Sequence, residues 1–270
     1  VGDFSSAPAR SRPNDPLTGQ PFPNARIPVS RFDPVSASIL QKVVPLPNTA
    51  DNRVEARRPS TSDQNQALGK IDHVLSQAHR LQGTFFYLKN ATFSPFTGGT
   101  NIPEYALFEL AYNQQNVVIG ETWLVSSSLL NEARVTLSRH RYQEVPVNRV
   151  SWPDFGSKVP LAADFHKRYP PVVRVSGRWQ MGAENENLGQ IDKSYSFNDV
   201  VSWTRGAHSI KLGSWFAYES YDAVLALAGA GIVTMAGEFT GNALSDFMLG
   251  QAASFRQTSG TNRSMRKWDW

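Results

Sequence analysis

The chain has 270 residues, 40% hydrophobic and only 19% charged. That length suits one or two domains, and no run nears the ~18 uninterrupted apolar residues of a membrane-spanning helix. With no cysteine it has no disulfide framework, thiol chemistry or cysteine-ligated metal, and its net charge of +4 comes from 27 scattered basic residues, without the clustered patch that nucleic-acid binding requires.

Ten of the 17 prolines fall within residues 1–62. Proline fixes φ and removes a backbone donor, so this stretch is predicted to be irregular and extended. One short helix is predicted inside it. Asp33 can cap it, Pro34 suits its first turn, Val35, Ile39, Leu40 and Val43 share a face, and Pro45 and Pro47 end it.

From Asp63 the pattern changes to strands, predicted over 64–75, 80–90, 112–125, 129–143, 188–204, 207–221 and 251–259, with an eighth starting near Arg266. Most are longer than the about 5–6 residues of a soluble strand and reach the about 9–11 that cross a bilayer at a tilt. Tight turns at Ser76–His79, Ser126–Ser128 and Arg205–Gly206 alternate with long loops at 91–111, 144–187 and 222–250, read as lacking secondary structure apart from one or two helical turns at 240–249. There Thr240 is the expected cap, Ala243, Leu244, Phe247 and Met248 share a face, and Gly250 suits the left-handed end. Short turns at one end and long loops at the other are the asymmetry of a bacterial outer-membrane barrel. The fold class is therefore all-β: residues 63–270 read as a partial antiparallel transmembrane barrel of about seven or eight strands, with neighbours paired as hairpins, behind a Pro-rich segment at 1–62.

In the hairpin 192–219 a turn with an even number of residues, centred on Arg205-Gly206, pairs Val201 with Ile210, Phe197 with Ser214, Tyr195 with Phe216 and Trp203 with His208 on one face. The other face pairs Ser202 with Ser209, Val200 with Lys211, Asn198 with Gly213 and Asp192 with Glu219. An odd turn would mix apolar and polar residues, since a one-residue slip exchanges the faces. In a barrel Val201, Ile210, Leu212 and Phe216 would face lipid, and Ser202, Ser209, Lys211 and Glu219 the lumen. Asp199 and Lys193 interrupt the apolar side and Trp215 the polar one. The strand from Leu129 alternates likewise, Ala133, Val135 and Leu137 against Glu132, Arg134, Thr136, Ser138 and His140.

Catalytic and metal chemistry finds no footing. His73, His79, His140, His166 and His208 form no metal-ligand spacing, and no nucleophile elbow or phosphate loop occurs. Asp72 and His73 are adjacent on a strand and so point to opposite faces. Glu184 and Glu186 lie in a polar loop, and Asn90-Ala91-Thr92 matches a glycosylation acceptor without weight in a bacterial chain. The chain is read as a non-enzyme with no cofactor, metal ligand or catalytic residue. Phe85, Phe86, Tyr87, Trp123, Tyr142, Trp203 and Trp215 fit either core packing or the two aromatic girdles of a membrane barrel.

Several phrases carry a family resemblance. The run Asp15-Pro16-Leu17-Thr18-Gly19-Gln20-Pro21-Phe22-Pro23-Asn24, followed by Ile27-Pro28 and Arg31-Phe32-Asp33-Pro34, resembles a segment of the Oar-like (carboxypeptidase-regulatory-like) TonB-dependent receptors. Val44-Pro45-Leu46-Pro47-Asn48-Thr49, Lys70-Ile71-Asp72-His73, Leu130-Asn131-Glu132-Ala133-Arg134, the run from Gly206 to Gly213 and the run from Phe239 to Gly250 are similar to others, in the family's order. The resemblance implies a large outer-membrane barrel that binds a ligand at the cell surface and imports it, with outer-membrane lipid around it and the TonB complex as partner through a plug. No plug, TonB box or regulatory-like sandwich is recognisable here, so the chain reads as an internal piece of such a barrel, with ligand contacts expected from the three long loops. No ligand-binding residue carries over. The rival expectation is a soluble secreted all-β binding module, carbohydrate-binding-like; expression as a soluble monomer would discriminate the two.

Overall fold

The computed structural model describes residues 2–51, 53–94, 102, 105, 108–160, 170–182 and 185–270. Its strands, in chain order, are β1 (Thr61–Val74), β2 (His79–Ser94), β3 (Phe108–Ser126), β4 (Leu129–Pro146), β5 (Val172–Val175), β6 (Trp179–Met181), β7 (Asn185–Arg205), β8 (His208–Leu227), β9 (Ile232–Met235), β10 (Ser254–Arg256) and β11 (Thr261–Asp269), with helices α1 (Pro34–Lys42) and α2 (Ala243–Met248). Among the described residues no helix is long and apolar enough to cross a membrane.

Seven strands form one antiparallel sheet in the order β1-β2-β3-β4-β7-β8-β11. The sheet is open, with β1 and β11 at its edges. It is the predicted barrel segment, with seven strands where seven or eight were expected. The predicted strand at 251–259 is not among them: its residues 254–256 form β10, which pairs with β9 elsewhere, and the strand expected near Arg266 begins at Thr261.

The third hairpin confirms the predicted parity and corrects its partners. Its two-residue turn is Gly206-Ala207, so Arg205 pairs with His208, Trp203 with Ile210, Val201 with Leu212 and Phe197 with Phe216. Gly206 has φ +60°, the pattern of a type II′ turn, whose first central position requires glycine and whose twist suits a hairpin. The ladder is displaced two residues from the expected one. A two-residue displacement leaves every side chain on its original face, so the face assignment stands.

The long loops are not structureless. Segments of 144–187 and 222–250, with β10, build a second sheet in the order β10-β9-β5-β6. Its β5/β9 pair is parallel, an exception to the expected antiparallel rule. β5 and β9 read Val-Val-Arg-Val and Ile-Val-Thr-Met, and only their third residues escape burial. Val173, Val175, Met181, Val233 and Met235 share a core with Ile39 of α1, Phe247 of α2, Trp152 and Phe155. This cap is assembled from segments that all leave the same end of the large sheet, opposite the short turns.

The Pro-rich segment joins the cap. Asp33 caps α1 as predicted, accepting the Ser36 N–H at 2.8 Å. Residues 2–33 hold two short antiparallel bridges, Asp3–Arg26 and Asn14–Pro21, and Phe4, Phe22, Ala25 and Ile27 bury against Met248. The expected Thr240 cap of α2 is corrected to Asn242, whose Oδ1 accepts the N–H groups of Leu244 and Ser245. Thr240 instead donates its hydroxyl to the fully buried Asp246 at 2.6 Å.

Candidate functional site

The large sheet has two unlike faces. On one, successive rows across the strands read Gly83–Ile119–Val135–Phe197–Phe216 and Phe85–Val117–Leu137–Tyr195–Tyr218–Trp268. These side chains face outward from any core: Leu212 and Trp268 are each 67% exposed. The other face presents Gln64, Lys70, Thr84, Asn116, Arg134, Ser138, Asn198, Ser202 and Lys211, with Leu68, Phe86, Leu88, Val118, Leu130, Val200 and Trp215 among its apolar members. An extended apolar surface open to water is an association or membrane surface.

Aromatic residues bound the apolar band. Tyr87, Tyr195, Tyr218 and Trp268 lie at its loop end, where Tyr218 stacks between Tyr195 at 6.1 Å and Trp268 at 4.6 Å. Trp123 and Trp203 lie at its turn end, 41% and 37% exposed. Of the seven aromatics weighed in the sequence, Phe85, Tyr87, Trp123 and Trp203 belong to this band and its girdles, while Phe86, Tyr142 and Trp215 stand on the opposite face. From Tyr195 to Trp203 is eight residues of β7, about 27 Å along a strand, which at a strand tilt of about 40° is about 21 Å of height, a few ångströms under the about 25 Å of an outer-membrane barrel's apolar band.

The tilt follows from the register. The first hairpin turns on the row Val74–Arg80–Thr122–Glu132–Val200–Gly213, whereas the third runs five residues further, to Arg205. Five residues over four strand steps, at about 3.4 Å per residue and about 4.8 Å per strand, gives about 40°, within the range of closed barrels.

The charged interruptions resolve. Asp199 accepts the Asn131 amide at 2.6 Å, and Glu121 meets His79 Nδ1 at 2.7 Å while that ring stacks on Trp123. Asp199 stands midway between Tyr195 and Trp203 on β7, and Glu121 two residues from Trp123 toward the middle of the band. Lys193 stands just above it, on the row Tyr87–Gln115–Arg139–Lys193–Ser220–Arg266.

At the loop end of the polar face, Gln114, His140, Asp192 and Tyr221 share one row and Tyr112, Tyr142 and Gln190 another. Tyr112 lies edge-on to His140 at 6.1 Å, Tyr142 donates to Glu144 at 2.5 Å, and Gln190 donates to Asp192 at 2.9 Å. This hydrogen-bonding, aromatic surface below the cap can hold a polar ligand. It lies on the strands, apart from the three long loops from which the sequence leads one to expect ligand contacts. The cap's own cleft, between Asp33, Ile39, Trp152, Met235 and Phe247, holds about 180 Å³, under the roughly 300–1,000 Å³ of small-molecule sites.

Other expectations place as follows. Asp72 pairs with Lys70 at 3.2 Å on the polar face, while His73 points to the other side. His166, Glu184 and much of the loop 91–111 lie outside the described residues. Among the described residues no group of three or more metal-ligating side chains assembles.

The motif residues of the Pro-rich segment hold one another. Arg31 donates two hydrogen bonds to Asp15 at 3.0 and 3.1 Å and lies 5.9 Å over the Phe22 ring. Asp15 also accepts the Leu17 N–H at 3.0 Å. Arg31 and then the Leu17 N–H hold the Asp15 carboxyl below the usual carboxylate range. Asp3, hydrogen-bonded by Ser5 with Arg26 beside it, falls to about 2.

No curated protein matches the chain. Among solved structures, the outer membrane transporter YddB from Escherichia coli is similar over 81% of this chain and 25% of that one, at 11% identity and a TM-score of 0.46; the chain thus spans about a quarter of that transporter. A profile of the outer membrane beta barrel domain matches residues 1–270. An apolar band approaching bilayer height, aromatic girdles on both sides and a barrel tilt are the features such a domain needs, and with the family match they replace the soluble-module expectation with a bacterial outer-membrane location. The chain belongs to the outer membrane beta barrel domain family.

Proposed function

We propose that these strands form a sector of a transport barrel of the TonB-dependent receptor class, Oar-like, that binds a ligand at the cell surface and imports it without transforming it. The carrying observation is the one-sided build. The connections longer than a turn leave one end of the sheet, where described segments of 144–187 and 222–250 fold into the cap, and the surface of Tyr112, His140, Tyr142 and Asp192 lies beside that end. Long loops belong to the extracellular side of a bacterial barrel, so ligand meets cap and polar face first. The TonB complex acts through a plug in the lumen, and the strands serve as wall.

These 270 residues contain no cysteine, so single cysteines are introduced here into the full-length protein with any cysteine outside this stretch replaced by serine. A membrane-impermeant maleimide added to intact cells should label Ser157→Cys in the cap whether or not TonB is present. It should label Ser138→Cys on the polar face faster in cells with TonB than without. An unreactive cap cysteine removes the surface orientation. Equal Ser138→Cys rates in the two strains remove the TonB dependence.

A further inference from the structure

Just above the upper aromatic girdle the membrane-facing surface turns basic. Arg139 and Lys193 are directly opposite one another on β4 and β7, and Arg141 follows Arg139 on the same face. Lys89 shares the row of Arg141, one strand beyond Asn113. These four cations come from three strands far apart in sequence, and only the register gathers them. Like charges directly opposite on a sheet destabilise it, so the cluster calls for an anion. Asp222, the only carboxylate on the same two rows, is bound to Arg266 at 2.8 Å and to the Ser264 hydroxyl at 2.7 Å and also lies within electrostatic reach of Lys193, so one carboxylate is shared between two cations. Of the other acidic groups nearby, Asp63 shares this face one diagonal step from Lys89, while Glu144, Asp192 and Glu219 point to the opposite face.

A second observation lies directly beneath. Val135, Tyr195, Phe197, Phe216, Tyr218 and Trp268 line a groove of about 430 Å³ on the apolar face. It runs down the strands from Lys193 and from Arg139, whose next neighbours on that face are Tyr195 and Leu137. Cations above an apolar groove have the shape and polarity of an amphiphile: an anionic head group and a chain.

We infer that Arg139, Arg141, Lys193 and Lys89 bind the phosphorylated head group of an anionic lipid of the outer leaflet, whose acyl chain lies in the Tyr195–Trp268 groove. The cluster sits on the loop side, which faces the outer leaflet. Guanidinium pairs on phosphate oxygens are favoured by geometry as well as charge. The inference rests on the membrane placement of the sheet and not on transport, so it stands if TonB dependence fails.

The test uses the full-length protein in phosphatidylcholine vesicles containing a spin-labelled diphosphorylated glucosamine lipid or spin-labelled phosphatidylcholine. Association relative to phosphatidylcholine is read from the motionally restricted fraction. The wild type should prefer the diphosphorylated probe, and preference should fall about fivefold for each cation removed in Lys193→Gln, Arg141→Gln and the triple Arg139→Gln/Arg141→Gln/Lys193→Gln. Arg134→Gln on the polar face should leave it unchanged. Heat-modifiable mobility on gels checks folding; if the triple variant fails to fold, the single variants decide. Wild-type preference that survives the single and triple changes, or no preference in the wild type, overturns the assignment. Loss of preference in excess inorganic phosphate would show a free-anion site in place of a lipid site, and would overturn it too.

Discussion

Arg31 and Asp15 are the pair on which the N-terminal segment closes. The two bonds between them tie the Asp15 turn to the residues just before α1, and Asp33 N–H then donates to the Met248 carbonyl at 2.8 Å, linking the segment to α2. Since the Asp15 carboxyl is held below its ordinary range by Arg31, its native form binds a proton less readily than its unfolded form. The pair's stabilisation is therefore complete above the ordinary aspartate value of about 3.9 and is lost as pH falls through the depressed native value. Protease cleavage within residues 2–33, followed over a descending pH series, should accelerate in that acid window. Asp15→Asn should start less protected and lose the acid-dependent step; the same acid step in Asp15→Asn would assign the transition to another group.

The cap depends on α2 as an element. Phe247 is fully buried, edge-on to Trp179 at 5.0 Å, and six helical residues cannot sustain themselves without packing. Phe247→Ala removes the centre of that packing and should cost about 3–5 kcal/mol. Gly250 adds a backbone constraint: at φ +69° its hydrogen faces Asp33, and a Cβ there would stand 2.9 Å from Asp33 Cβ. Hydrogen exchange should show Phe247→Ala deprotecting β5 and β9 while β7 and β8 keep their protection, because the two sheets have separate ladders and the core around Phe247 contains no residue of β7 or β8. Equal loss in both sheets would mean that cap and barrel segment unfold as one unit. The same separation explains what the sequence disclosed. The long strands were legible because alternation persists over 14 to 21 residues in β1 to β4, β7 and β8. So were α1, from Asp33 and Pro34, and the parity of the third hairpin, from its alternating faces. The cap strands were not: Val172–Val175 and Ile232–Met235 are four residues each, and short apolar runs carry no period of their own. Their bounding Pro170-Pro171 and Gly229–Gly231 were the available signal. The polar surface and the cationic cluster were hidden for another reason. Each draws on residues of separate strands, from Gln114 to Tyr221 in one and from Lys89 to Lys193 in the other, and alternation within one strand does not say which rows of its neighbours it meets.

At the scale of the whole molecule, a tilted sheet makes a substitution's effect depend on depth as well as face. The turn tips descend by five residues from the first hairpin to the third, so residues equally far from their own turns lie at similar heights in the bilayer. Val135 lies six residues from the start of β4 at its own turn, as the midpoint of the Tyr195–Trp203 span lies six from the end of β7, so it stands midway between the girdles, whereas Ile210 lies opposite Trp203 at the turn-side girdle. Both point to lipid, and Thr136, next to Val135, points to the lumen. An arginine on the lipid face costs about 2–4 kcal/mol near the midplane and about 0–1 kcal/mol near an interface. Val135→Arg should therefore lower the urea midpoint for folding into phosphatidylcholine bilayers strongly, Ile210→Arg slightly, and Thr136→Arg hardly at all. The Val135/Thr136 contrast tests the face, and the Val135/Ile210 contrast tests the depth that the tilt assigns. A soluble sandwich would bury Val135 and Ile210 alike in a core and penalise both substitutions equally. Equal losses at 135 and 210 would therefore remove the bilayer geometry, while a loss at 136 matching that at 135 would remove the assignment of the two faces.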